Sequence, residues 1–215
     1  RGYFMEKFDD NKLFQFVYVS AMRDAVLQKA YEGEKKWLTT EETLEARNKV
    51  KEYIDYILEV GFKNQEEHDK KFIETASGVC DVINKKIETN GRNGQFTFGN
   101  AQKLINIVCK YFYIISYKDS SVREKFKYCH CPMDSILLEN VWSKKKDEIK
   151  EQSNMNVNDF KSSWGKENWK INDKENYEVP DRYSIFQDNV RALAQNEGIF
   201  PIEYDYKIWG ENLEK

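Results

Sequence analysis

Residues 99–141 read GNAQKLINIVCKYFYIISYKDSSVREKFKYCHCPMDSILLENV, and this stretch decides how the chain is read. It opens on a glycine and runs into the most apolar periodic segment of the chain, with Leu104, Ile107, Val108, Tyr111, Phe112 and Ile115 at helical spacing. The spacing predicts a helix from about Gly99 to Tyr117, with Lys103 in its first turn. A polar, basic loop follows over 118–131. Pro132 then suits a first helical position, where the missing N–H costs nothing, and places Asp134 in a second first turn.

Working outward, the pattern stays helical. Leu13, Phe14, Phe16, Val17, Ala21, Ala25 and Val26 predict a core-facing helix over 10–31. Thr39 with Glu42 forms a capping box for a helix to about Val60, with Leu44, Val50, Tyr53, Ile54, Ile57 and Leu58 inward, ended by Gly61. Asn64 with Glu67 caps the next helix, to about Glu88. Residues 89–99, TNGRNGQFTFG, form a loop or a short hairpin, since 95–98 has strand character. Trp164 and Trp169 stand in a polar stretch, 151–178, read as irregular and draped over the surface. Pro180 and Pro201 each precede a helix, the last ending near Trp209. With only 3 Pro and 10 Gly the fold class is mostly α, a single helical domain over 1–215 with room for two lobes and a cleft between them.

The 215 residues, 40% apolar, suffice for a sizeable core. No apolar run is long enough to span a bilayer and the start lacks a secretory pattern, so a cytoplasmic protein with no membrane partner is expected. Four cysteines, clustered, argue for reduced thiols rather than a disulfide framework. Net charge is −3 but uneven: residues 89–150 carry 11 Lys and Arg against 6 Asp and Glu, while both flanks are acidic. A polyanion would be met in that central segment; chance unevenness explains it as well.

Lys103 and Asp134 are the candidate chemistry. A lysine near a helix N-terminus and against apolar surface is discouraged from carrying its charge, which makes it a usable nucleophile. A carboxylate at a helix start stays ionised and can stabilise a developing cation. Together they suffice to cleave an N-glycosidic bond through an oxocarbenium-like sugar. The same two residues also fit a solvated lysine and a plain helix cap.

Gly99-Asn-Ala-Gln-Lys103, followed by Cys131-Pro132-Met133-Asp134-Ser135 and Ile136-Leu137, resembles the helix-hairpin-helix DNA glycosylase superfamily, with Ala101 where that motif carries its second glycine. The likeness is nearest to the archaeal 8-oxoguanine glycosylase branch and covers residues 99–141, within a segment, 89–150, that it implies to be helix-hairpin-helix and catalytic. It implies a two-lobed glycosylase-like fold with a helix-hairpin-helix element, whose partner is double-stranded DNA carrying an altered base. In the superfamily the lysine is the Schiff-base nucleophile and the aspartate begins a later helix. The resemblance therefore implies catalysis by Lys103 and Asp134, without a cofactor, metal or obligate protein partner. Gly99 and Ala101 would hold a phosphate, and Arg92, Lys125, Lys127, Lys144, Lys145 and Lys146 would contact others. Phe96, Phe98, His130 and Trp142 would meet the flipped base, although core packing explains the aromatic three equally well. Lys110 is expected to be structural.

Cys129-His130-Cys131 spaces its thiols too closely for a usual zinc site, and a packed thiol pair is the expectation. Neither a phosphate-cradling loop nor a dinucleotide fingerprint is present. Glu203 and Asp205 fit an exposed helix face or the carboxylates of a nuclease. Beside the glycosylase stand two other classes: a non-catalytic helical module binding nucleic acid or protein through the basic region, and a metal-dependent nuclease.

Overall fold

The computed structural model describes residues 10–27, 43–91, 94–171 and 177–213. Nine α-helices occur among them: α1 (Asp10–Met22), α2 (Leu44–Glu59), α3 (Gln65–Thr89), α4 (Phe98–Ile115), α5 (Ser120–Glu124), α6 (Ser135–Ser153), α7 (Val157–Phe160), α8 (Asp181–Glu197) and α9 (Pro201–Leu213). A π turn (Arg23–Leu27) extends α1, and a 3-10 turn (Trp164–Lys166) precedes a two-residue antiparallel ladder, β1 (Lys170–Ile171) with β2 (Tyr177–Glu178). The mostly helical expectation holds. Among the described residues no helix is long and apolar enough to cross a membrane.

The core is one continuous apolar cluster to which all the long helices contribute. Helix α4 is its centre: 12 of its 18 residues are buried, including Ile105, Cys109 and Tyr113 off the predicted stripe. It packs against α1, α3, α9, the π turn and the 3-10 turn, so few of its faces meet water. Ile115, placed inward by spacing, is half-exposed at the helix end. Phe16 in α1 is 71% exposed, while Phe14, Val17 and Ala21 of the same helix are buried. The capping pair Thr39–Glu42 lies outside the described residues, as does Arg92.

Two local predictions are met in detail. Gly61 adopts φ +77° and ends α2 by donating to Tyr56 O at 2.9 Å. Asn64 caps α3, its side chain accepting from Glu67 N at 2.9 Å. Residues 95–97 are extended but do not pair as a strand. The Asn84 side chain takes the place of a partner strand, accepting from Phe96 N at 2.7 Å and donating to Phe96 O at 3.0 Å. Pro132 is not the first residue of α6. The chain stays extended through Met133, because buried side-chain amides hold residues 131–133, and the helix starts only after Asp134.

Of the polar stretch 151–178, the described residues 151–171 are more ordered than their polarity suggested. Arg182, buried on α8, collects the carbonyls of Asp159, Phe160 and Ser162 and pairs with Glu167, pinning the segment. Trp169 lies edge-to-face on Phe98, with ring centroids 4.7 Å apart.

Candidate active site

Thr97 starts α4. Its Oγ1 accepts from Asn100 N at 3.2 Å, and Asn100 Oδ1 accepts from Thr97 N at 3.1 Å, a reciprocal cap that satisfies two backbone donors. Phe98 is therefore the first helical residue, and Lys103 lies in the second turn rather than the first. Lys103, Ile107, Lys110 and Tyr111 share one stripe of α4 and line a cavity of about 370 Å³. Pro132 and Asp134 form its opposite wall, Trp209 closes it from α9, and Asp24 edges it from the π turn.

What sets the two walls against each other is a pair of buried glutamines. Gln102, next to Lys103, accepts from Met133 N at 3.0 Å and donates to Met133 O at 3.2 Å. Gln187 on α8 does the same for Cys131, at 3.1 and 2.7 Å. Asn106 adds a bond to Cys131 O at 3.2 Å. Each amide mimics a strand edge, and burying such groups is tolerable only because they are satisfied. The register of 131–133 against α4 follows, and with it the position of Asp134.

Asp134 is the N-cap of α6, its Oδ1 accepting from Ile136 N and Leu137 N, both at 3.0 Å. Oδ2 accepts from Trp209 Nε1 at 3.1 Å. The Lys103 ammonium lies over the Trp164 ring, 4.2 Å from its centroid, and among the described residues it forms no ion pair. Burial holds its pKa below the usual lysine value; the negative charges of Asp134 and Asp24 oppose this, and the neighbouring Lys110 reinforces it. Lys110 lies 2.8 Å from Asp205, a carboxylate with no exposed surface whose pKa burial pushes up to about 6. Lys110 is the charged partner of this carboxylate among the described residues. The cavity thus holds one unpaired, desolvated amine facing a fixed carboxylate, which suits nucleophilic attack next to a centre that becomes positive.

The remaining predicted residues fall elsewhere. Phe96 and Phe98 are buried in the core, at 2% and 0% exposure, so neither is open to a base. Trp142 packs against Phe160. Gly99 and Ala101 are buried, and Gly99 N donates to Glu167 O at 3.0 Å, so these residues present no amide to a phosphate. His130 is buried and faces a second cavity, away from Lys103. Lys125 donates to Leu58 O, Lys127 to Glu124 at 2.9 Å, Lys144 to the Tyr204 hydroxyl at 3.1 Å, and Lys145 to Glu148 at 2.7 Å. Lys146 is exposed.

Cys129 lies against Cys109, whereas the Cys131 thiol donates to Pro201 O at 2.7 Å, so the two thiols do not converge on one ion. Asp205 is buried rather than on the exposed face that the sequence suggested, and the sequence marks neither its pairing with Lys110 nor the places of Asp24, Trp164 and Trp209 near Lys103 and Asp134. The only signal in the sequence was the seven-residue spacing of Lys103 and Lys110, which puts both amines on one side of a helix.

No family model, curated protein or solved structure matches this chain.

Proposed function

We propose that the chain is a lysine-dependent DNA N-glycosylase with lyase activity, acting on duplex DNA that carries a damaged or modified base. The observation that carries this reading is the shared cavity: Lys103 and Asp134 line one opening of about 370 Å³, with the amine largely buried and, among the described residues, outside any ion pair. A nucleobase turned out of the stack, at a cost of a few kcal/mol, would enter there. The Lys103 amine then attacks the sugar carbon and the base departs with its bonding pair. Asp134, its charge fixed by two backbone N–H groups and an indole, stabilises the positive sugar. The resulting imine permits strand cleavage by β-elimination.

The finer fold reading, two lobes about a cleft with a helix-hairpin-helix element, belongs to the same proposal. In this arrangement the start of α4 is occupied by the Trp164–Glu167 segment. Phosphate contacts therefore fall to Lys125, Lys127, Lys144 and Lys145; the partners of Lys127 and Lys145 are surface carboxylates, held weakly enough to be exchanged.

Borohydride reduction with DNA carrying an altered base tests the proposal. A covalent adduct with the native chain that is lost in Lys103→Ala supports it. Salt-sensitive binding with no adduct and no cleavage would leave a helical nucleic-acid-binding module instead.

A further inference from the structure

His68 closes the first turn of α3 and Asp69 opens the second, and His130 lies in the extended segment before α6. The fold brings the two imidazoles edge-to-face, with centroids 4.7 Å apart. His68 Nδ1 and His130 Nε2 both point at Asp69 Oδ1, at 2.9 and 2.8 Å. The far nitrogens are backed by buried phenols: His68 Nε2 meets the Tyr53 hydroxyl at 2.7 Å, and His130 Nδ1 the Tyr183 hydroxyl at 3.0 Å. Oriented imidazoles with hydrogen-bonded outer nitrogens are what metal sites build around their ligands. The cluster opens on a cavity of about 220 Å³ lined by Asp69, His130 and Arg191, and Arg191 Nη1 is buried there without a hydrogen-bond partner.

We propose that His68, Asp69 and His130 bind one divalent first-row transition metal ion of the zinc class, leaving a coordination position open to the cavity beside Arg191. The three ligand atoms lie 2.8 to 4.8 Å apart, which brackets the roughly 3.4 Å edge of a tetrahedron with bonds of about 2.1 Å. Coordination through these two nitrogens puts each ring proton on the outer nitrogen, where a phenol oxygen can accept it, and displaces the Gln65 side-chain amide that now donates to Asp69 Oδ1 at 2.7 Å. Two neutral imidazoles with one carboxylate and a free position form a donor set suited to catalytic rather than structural metal. The unsatisfied guanidinium nitrogen favours an anion, such as hydroxide or a substrate carboxylate or phosphate, at the open position. This site is independent of the Lys103 cavity and of the activity proposed for it.

The test is cobalt(II) titration of the chelator-stripped full chain, followed by zinc competition. One equivalent should bind with d–d absorption typical of nitrogen and oxygen ligands and without a thiolate charge-transfer band, and zinc should displace it. Affinity should fall at least about tenfold in Tyr53→Phe and further in His130→Ala and Asp69→Asn, and stay unchanged in Cys131→Ser. Circular dichroism identifies any variant that fails to fold, and Asp69→Asn keeps an acceptor for the same bonds. Absence of stoichiometric binding to the native chain, a thiolate band, or affinity unchanged in folded Asp69→Asn would each overturn the proposal.

Discussion

Lys110 and Asp205 form a 2.8 Å ion pair whose carboxylate has no exposed surface, and Lys110 lies on the same side of α4 as Lys103. Burial outweighs the attraction of Lys110, so Asp205 holds its proton up to about pH 6, against an ordinary value of 3.8. Between those two values the folded chain binds more protons than the unfolded one. This contribution to stability is therefore full below about pH 4 and is lost as pH rises through 6. Urea unfolding of the native chain and Asp205→Asn should diverge by roughly 2–3 kcal/mol between about pH 4 and pH 7, the native chain losing ground as pH rises. A pH-independent difference between the two would contradict the assignment. The comparison with the variant is needed because Asp69, held below the usual carboxylate range by His130 and His68, acts in the opposite sense.

Gly99 is required by close approach rather than by a turn. A Cβ there would lie 1.8 Å from the Trp164 carbonyl oxygen and 2.8 Å from its carbon, both backbone atoms. Gly99→Ala should push the 3-10 turn off α4, break the Gly99–Glu167 bond and move Trp164 from Lys103. Overpacking of this kind costs about 1–3 kcal/mol or more, a fall of several degrees in Tm. Gly78→Ala is the control: its Cβ would meet only the flexible Lys49 side chain, at 3.1 Å, in the middle of α3. That variant should melt no lower than the native chain, and equal losses at the two positions would refute the argument.

The helices were legible because apolar periodicity and caps are local: Asn64, Gly61, Pro180 and Pro201 each mark a boundary that the chain observes. What failed was whatever depends on partners far away in sequence. Phe16 and Ile115 fit the helical period, yet among the described residues no element covers them. Gln102, Asn106 and Gln187 look like surface residues by type, but their amides tie an extended segment to two helices. Lys103 and Asp134 could be singled out by residue type and helix position. Trp164, Asp205 and Trp209 could not, since only tertiary packing brings Trp164 over Lys103, Asp205 to Lys110 and Trp209 to Asp134.

The thiols give a cheap check on packing. Cys80, Cys109, Cys129 and Cys131 are all buried and free. Burial pushes Cys80 up to about 12 and raises Cys129 and Cys131 as well, so the nucleophilic thiolate is scarce at neutral pH. A thiol-exchange dye should label none of the four in the folded chain and all of them in denaturant, with labelling tracking unfolding. Rapid labelling of any one under native conditions would mean that its surroundings are open.

Asp134→Asn separates the two roles of that residue. Asparagine caps helices as well as aspartate does, so α6 should survive, although an amide nitrogen turned toward Trp209 Nε1 replaces the acceptor now 3.1 Å away. The carboxylate's charge raises the pKa of Lys103 against the larger effect of burial. Removing that charge should lower it further, so more of the amine is neutral at a given pH. Single-turnover borohydride trapping should therefore rise with pH in both proteins, with its midpoint at lower pH in the variant. The plateau should nonetheless fall by about 10²–10³, because the positive sugar loses its stabilising charge. The two effects have opposite signs at low pH, which a purely structural role for Asp134 would not produce. An unchanged plateau, or a midpoint displaced to higher pH, would remove Asp134 from the chemistry.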